Sequence, residues 1–277
     1  MQRSCLLLPL LLLAGCSAPT DSAGSYPQNP AISDAQGHPR DSTTFYFPAA
    51  DSLPATYVSK SKRPTSYVID ESVMNCTDEM KYASYALTYF KAPVLSNYYL
   101  GTDTYRFLWL RSFHLPVLLT LSANEEGASL RTQVLDKKPG FHMLTVQHPD
   151  SLSPTVTAGE RTRAQKYYTQ TMADPEFIRS VAEGKRRAQL IDSADTVLPV
   201  THQQLQHFRQ LLAQYQFQRT SACQPVLMLD GAYWLLEAHQ ASGYNMVARR
   251  SPDETDGFHK ACEYLLDLSS ARGEERY

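Results

Sequence analysis

The pattern of hydrophobic and polar positions gives its clearest strand signal near the middle of the chain, at residues 104–113, "TYRFLWLRSF". Successive side chains of a strand point to opposite faces of a sheet, and both faces of this run carry apolar residues. Three more strand-length runs follow at 117–123, 128–138 and 141–147, separated by turn residues. Four such runs predict an antiparallel β-meander in which 104–113 is a central strand.

Helical spacing recurs on both sides of this meander. Residues 77–91 carry tyrosine and apolar side chains at helical intervals, begin at a capping residue, Thr77, and stop before Pro93. Asp174 and Pro175 are the residue types that open a helix. The pattern predicts helices at 77–91, 159–172, 174–190, 201–217 and 253–269.

Further strand signals lie toward both ends of the chain. Residues 225–230 and 232–240 flank an Asp-Gly pair typical of a turn or bulge, and 244–250 follows a second turn. Short runs interrupted by proline, near residues 45, 57 and 66, favour edge strands.

These elements predict one α+β body at 45–277, built from antiparallel meanders with flanking helices. We expect two closely packed lobes at 45–150 and 200–270, with a helical insertion at 151–200. A chain of this length buries a sizeable core.

The amino terminus has a different pattern, "LLLPLLLLAGCSAPT" at 6–20, preceded by Arg3. The apolar run is shorter than the roughly 20 residues that cross a bilayer and has the form of a secretory leader. Its ending, Leu13-Ala14-Gly15-Cys16, resembles the lipobox of bacterial lipoproteins. That resemblance implies a signal peptide at 1–15, acyl chains on Cys16, and a protein held in the cell envelope by its lipid. A plain signal peptide and a buried apolar helix are the alternatives.

Residues 16–44 are rich in Ser, Pro, Gly, Asp and Asn and nearly lack large aliphatic side chains. Such a segment buries too little apolar surface to offset its chain entropy. It is predicted to be a flexible tether between the membrane and the body.

Composition narrows the partners that this body would bind. The formal net charge is −2, so neither nucleic acid nor an acidic partner is indicated by bulk charge. The 17 tyrosines suit a half-buried sheet, and also a surface that contacts a protein or a glycan.

Five cysteines are present, of which Cys5 lies in the leader and Cys16 in the lipobox. Cys76, Cys223 and Cys262 remain in the body, and an exported protein meets an oxidising compartment. Because Cys223 and Cys262 lie closest together along the chain, they are the predicted pair if a disulfide forms. Buried free thiols are the alternative.

Two further segments, at 92–121 and 229–252, resemble a group of small bacterial proteins for which no activity is known. The resemblance rests on an Arg-x-x-Trp-x-Arg strand with a His-x-Pro turn, and on an Asp-Gly-x-x-Trp-x-x-Glu strand. It implies a shared fold and no particular reaction. The matching positions are Arg106, Trp109, Arg111, His114, Asp230, Trp234, Glu237, Tyr244 and Arg250.

Motifs of known chemistry are lacking. There is no GxSxG elbow, HExxH pair, EF-type loop or Gly-rich phosphate loop, and Ser59-Lys60-Ser61-Lys62 fits SxxK without its companion motifs. His202 and His207 are five residues apart, so one helix does not present both to one metal ion. No metal and no cofactor are therefore predicted.

The candidate site is a polar set on the aromatic strands. If the two sheets join, these side chains form either structural Arg–carboxylate pairs or a cleft for a polar ligand, with Glu237 as acid or base. The set comprises Arg106, Arg111, His114, Asp230, Glu237 and Arg250.

The leading functional hypothesis is a membrane-anchored, non-enzymatic binding or interaction module. An immunity protein against a secreted toxin is the second hypothesis, and it predicts an acidic or tyrosine-rich exposed patch. A cell-wall or glycan hydrolase is the third, and it predicts a deep cleft with two carboxylates.

Overall fold

The computed structural model describes residues 28–41, 43–48, 76–124, 127–139, 149, 156–188, 191–224 and 230–276. In chain order its elements are α1 (Cys76–Tyr89), β1 (Asp103–Arg111), β2 (Val117–Asn124), β3 (Gly127–Leu135), α2 (Ala158–Ala173), α3 (Pro175–Ala188), β4 (Ser193–Val200), α4 (His202–Gln214), β5 (Ala232–Gln240), β6 (Gly243–Arg250) and α5 (Gly257–Leu268).

The strands form one sheet in the order β4-β3-β2-β1-β5-β6, with every neighbouring pair antiparallel. The predicted α+β class and the meander are confirmed, and the first three predicted runs are β1, β2 and β3. The fourth run, 141–147, lies outside the described residues, as do the predicted strands near 57 and 66 and most of 225–230.

The strand beside β3 is β4, which the sequence did not predict. Six consecutive residues of β4, from 194 to 199, are exposed. A strand without a buried face shows no alternation of apolar and polar positions, so its pattern gave no signal.

The sheet is continuous because β1 pairs with β5 along its whole length, from Thr104 opposite His239 to Arg111 opposite Ala232. The two predicted lobes therefore share a single sheet. β1 is buried from its second residue to its last, which confirms the prediction of a central strand.

Helices cover both faces of this sheet. One buried cluster contains Tyr105, Phe107 and Trp109 of β1 with the inner faces of α4 and α5. The other contains Leu108 and Leu110 of the same strand with α1. Alternate β1 side chains thus enter different cores, as the period of two requires.

The segment that connects β3 to β4 contains two helices, α2 and α3, which lie within the predicted insertion at 151–200. Thr157 caps α2 through a capping box with Glu160, as helix starts of this type do. Asp174 precedes Pro175 and accepts a hydrogen bond from the Glu176 amide, 2.8 Å away. No residue of α2 is buried.

The predicted tether is wrong from residue 28 onward, because this part of it packs on the body. The Asn29 amide donates to Asn97 Oδ1 at 2.7 Å, and the Val94 amide donates to the Gly37 carbonyl at 2.7 Å. Side-chain and backbone hydrogen bonds hold the segment where apolar burial is scarce.

The predicted edge strand near residue 45 is also absent from the described residues 43–48. Tyr46 is buried, its amide donates to Ser84 Oγ, and its carbonyl accepts from Ser96 Oγ. Side chains satisfy the backbone there, so no strand partner is needed.

The predicted disulfide between Cys223 and Cys262 is wrong: Cys223 is bonded to Cys76, with their Cα atoms 6.1 Å apart. Cys76 and Cys223 lie in the core beside α1, whereas Cys262 is a buried free thiol in the core beside α5. The sheet separates the two cores, so Cys262 cannot reach Cys223 although it is nearer in sequence.

Within the ranges described, no helix has the length and the apolar character needed to span a bilayer.

Candidate functional site

The join between β1 and β5 carries a buried ion pair. Arg106 and Glu237 are opposite each other in the strand register, with exposed fractions of 1% and 0%. Arg106 Nε donates to Glu237 Oε2 at 2.7 Å, and Tyr244 Oη donates to Glu237 Oε1 at 2.8 Å. Arg106 Nη1 donates to the Pro93 carbonyl.

Burial raises the pKa of Glu237, and the charge of Arg106 and the hydrogen bond from Tyr244 oppose that increase. Burial likewise raises the pKa of Tyr46, whose ring lies beside Arg106, to about 12. Tyr46, Pro93 and Tyr244 contact the pair. Because both side chains are almost fully buried and balance each other's charge, this geometry favours the structural interpretation over a ligand-binding cleft.

The other four predicted residues do not join this pair. Arg250 Nε donates to Glu79 Oε1 of α1 at 3.0 Å. Arg111 lies on the opposite face, where its Nη2 donates to Glu274 Oε2 at 2.8 Å.

His114 lies 3.3 Å from Glu275 in the same region as Arg111, and Asp230 is exposed just before β5. The period of two explains the separation, because Arg106 and Arg111 are five positions apart on one strand and must face opposite sides.

A different site is formed where α4 ends against the edge of β1 and β5. We call this cleft of about 460 Å³ the α4 pocket, and it has the size of a small-molecule site. It is lined by Tyr105, Arg209, Leu212, Ala213, Gln216, Phe217, Gln218, Arg219 and Gln240.

Tyr105 organises the inner side of the α4 pocket. Its hydroxyl accepts hydrogen bonds from Arg209 Nε at 3.1 Å and from Gln240 Nε2 at 2.8 Å. A tyrosine hydroxyl has one hydrogen to donate, and neither of these two contacts uses it. Burial raises the pKa of Tyr105, so the hydroxyl stays a neutral donor.

Two guanidinium groups line the pocket, and they differ in charge balance. Arg209 Nη2 donates to Asp103 Oδ2 at 2.9 Å, so the carboxylate of Asp103 balances the charge of Arg209. Arg219, in the 3₁₀ turn Phe217–Arg219, is exposed at the rim. The pocket therefore presents a net positive charge, amide side chains and an apolar floor.

Gln216 takes an unusual backbone conformation at the mouth of the pocket. Its φ and ψ are 57° and 42°, in the left-handed region. Helices that end this way mostly use glycine, because a side chain there costs about 1 kcal/mol. Strain of this kind is concentrated at functional sites, and here it places a glutamine at the pocket.

The pocket residues were not predicted as a site from the sequence. Tyr105 lies on the strand that the sequence predicts to be central, and it packs edge-to-face on Phe208. The available signal was the polar run "QFQR" at 216–219, directly after an amphipathic helix.

A second depression, of about 970 Å³, runs along α4, α5 and the 251–255 loop. Asp253, Glu254, Glu263 and Asp267 line it, and Glu263 and Asp267 accept hydrogen bonds from Arg276 at 2.6 and 2.8 Å. These two carboxylates are therefore engaged in ion pairs and are unsuited to act as an acid and base pair.

No protein-family model, no curated protein and no solved structure matches this chain. Over the described part of the chain, no three His, Cys, Asp or Glu side chains come together as metal ligands would. The interpretation of the site therefore rests on its own geometry.

Proposed function

We propose that this protein is a binding module tethered in the cell envelope, and that it holds a small, acidic polar ligand in the α4 pocket. The observation that carries the proposal is the donor-rich lining around Tyr105, which combines a spare hydroxyl hydrogen, glutamine amides and Arg219 over an apolar floor. Ligand pockets typically combine apolar walls with a few oriented polar groups.

The lining favours a carboxylate on the ligand. The side-chain amides and guanidinium groups offer N–H donors, and Arg219 pairs well with a planar anion. None of the nine lining residues is itself an acid, so binding is better supported there than hydrolysis. An acidic sugar and the carboxyl terminus of a peptide are the two ligand sources that carry this chemistry.

Matched probes test the carboxylate requirement. N-acetylmuramic acid and N-acetylglucosamine differ by one acidic substituent, and a dipeptide differs from its amide by one carboxylate. We expect titration calorimetry or ligand-observed NMR to detect one acidic probe and a much weaker signal from its neutral counterpart. Equal binding of both members of each pair, or no binding of any probe, contradicts the proposal.

Variants locate the binding in the pocket. Arg219→Gln is expected to weaken the acidic probe by roughly tenfold or more, since a hydrogen bond to a charged group contributes about 1.5–3 kcal/mol. Arg272→Gln removes an exposed arginine after α5 and should leave the affinity unchanged. Gln216→Gly should weaken binding while leaving stability equal or higher, because glycine relieves the left-handed strain.

The proposed anchor has its own test. Cys16→Ser removes the thiol that would carry the acyl chains, so the protein is expected to move from the membrane to the soluble fraction when cells are fractionated. Several acyl chains hold a protein firmly, at roughly 0.8 kcal/mol per buried CH₂. Unchanged membrane retention of the variant, together with no lipid mass on Cys16 of the wild-type protein, would refute the anchor and leave the pocket proposal standing.

A further inference from the structure

The hairpin of α2 and α3 exposes three large apolar side chains. Tyr167, Met172 and Ile178 have exposed fractions of 64%, 45% and 53%. These apolar side chains lie on an insertion whose first helix buries no residue. Contiguous exposed apolar patches mark interaction sites, and three of the eight large apolar side chains exposed in the described residues lie on this hairpin.

The hairpin is also the basic part of an acidic protein. Residues 158–188 contain seven basic and four acidic side chains, a net charge of +3, whereas the whole chain carries −2. In α3, Arg179, Ala182 and Arg186 are spaced three and four residues apart, and Ile178 lies four residues before Ala182, so all four share one side of the helix. Basic residues beside an exposed apolar residue are a feature of helices that lie on a membrane surface.

The place where the folded body begins limits its distance from the proposed anchor. Asn29 is fixed to the body by hydrogen bonds with Asn97. Positions 16 and 29 are thirteen steps apart along the chain, which span at most about 45 Å when fully extended. A body held this close to a bilayer encounters its surface continually, so even weak attraction orients it.

We propose that α3 docks on anionic lipid, with Ile178 entering the interface and Arg179 and Arg186 contacting lipid phosphates. The occupant of this helix face is thus an anionic membrane surface. The proposed anchor only brings the body close to the membrane. The attraction to anionic lipid comes from the side chains of α3.

Unanchored protein tests the inference separately from the anchor and the pocket. A chain that begins at residue 17 lacks Cys16 but keeps every residue that the structure describes. We expect it to sediment with vesicles that contain phosphatidylglycerol, at low salt, and not with vesicles of phosphatidylcholine alone. High salt should release it, because screening weakens attraction between exposed charges.

Variants locate the contact on α3. Arg179→Gln with Arg186→Gln is expected to lower partitioning roughly 25-fold, since each basic residue near an anionic surface contributes about fivefold. Ile178→Ser should lower it at every salt concentration, because burial of an apolar side chain does not depend on screening. All three side chains are exposed, so the circular dichroism spectrum should not change.

The matched control removes the same charge elsewhere. Lys260→Gln with Arg272→Gln neutralises two exposed residues in and after α5 and should leave vesicle binding within about twofold of wild type. An equal loss in both double variants would mean attraction by overall charge and would overturn α3 as the docking face. Absence of binding to the anionic vesicles at low salt would overturn the proposal itself.

Discussion

Glu237→Ala is expected to lower the free energy of unfolding by about 3–5 kcal/mol, because it leaves the guanidinium of Arg106 buried without its counter-charge. Arg106 is 1% exposed, and its remaining contacts are the Pro93 carbonyl and the face of the Tyr46 ring. Urea denaturation followed by circular dichroism measures the difference. Since the pair joins β1 to β5, the loss reports on the join between the two halves of the sheet.

Two further variants distinguish the free-energy cost of burying an unpaired charge from the cost of losing an ion-pair contact. Replacing both Arg106 and Glu237 with Met removes both charges, so it should cost clearly less than Glu237→Ala alone. Asp195→Ala breaks an exposed pair with Arg131, in which Arg131 Nε lies 2.9 Å from Asp195 Oδ2, and should cost below about 1 kcal/mol. A Glu237→Ala loss no larger than the Asp195→Ala loss would show that the Arg106 charge is hydrated.

Loss of the Cys76–Cys223 disulfide is the second large effect, and we expect Cys76→Ala with Cys223→Ala to cost roughly 3–5 kcal/mol. The bridge joins residues 147 positions apart, and closing so long a loop restricts the unfolded chain strongly. The comparison uses oxidised wild type and the double variant in urea. Cys262→Ala keeps the disulfide, so its cost should be limited to the small cavity left by the sulfur.

Alkylation tests the pairing directly. In a chain that begins at residue 17, a thiol reagent without reductant should label Cys262 alone, and only after denaturation, because Cys262 is completely buried. Burial also raises the pKa of the Cys262 thiol, which slows its reaction further. Label on Cys76 or Cys223 under these conditions would contradict the observed disulfide.

The candidate site shows how far polar residue types alone can guide prediction. Arg106 and Glu237 were selected because charged residues are rare on strands built for packing, and the structure does pair them. The same criterion selected Arg111, which lies on the other face, and Asp230, which lies on the surface. Residue type predicts that a buried charge needs a partner, but only the register of β1 against β5 decides which partner it has.

Periodicity in the sequence by itself determined the class of the fold. It located β1 to β3, β5, β6, α1, α4 and α5, because each of these buries one face or both and the spacing of apolar side chains reflects that burial. It did not locate β4, whose residues from 194 to 199 are exposed, or the packed segment from residue 28, which polar hydrogen bonds hold in place.

Only the tertiary structure decided which distant parts of the chain come together. It decided the bond between Cys76 and Cys223, the burial of Cys262 on the other face of the sheet, and the α4 pocket. These depend on contacts between residues far apart in the chain, such as Tyr105 with Arg209 and Gln240. A local pattern records whether a side chain is buried, because burial repeats with the geometry of its own helix or strand. It does not record which residue that side chain contacts, because the order of the strands and the placement of the helices decide this.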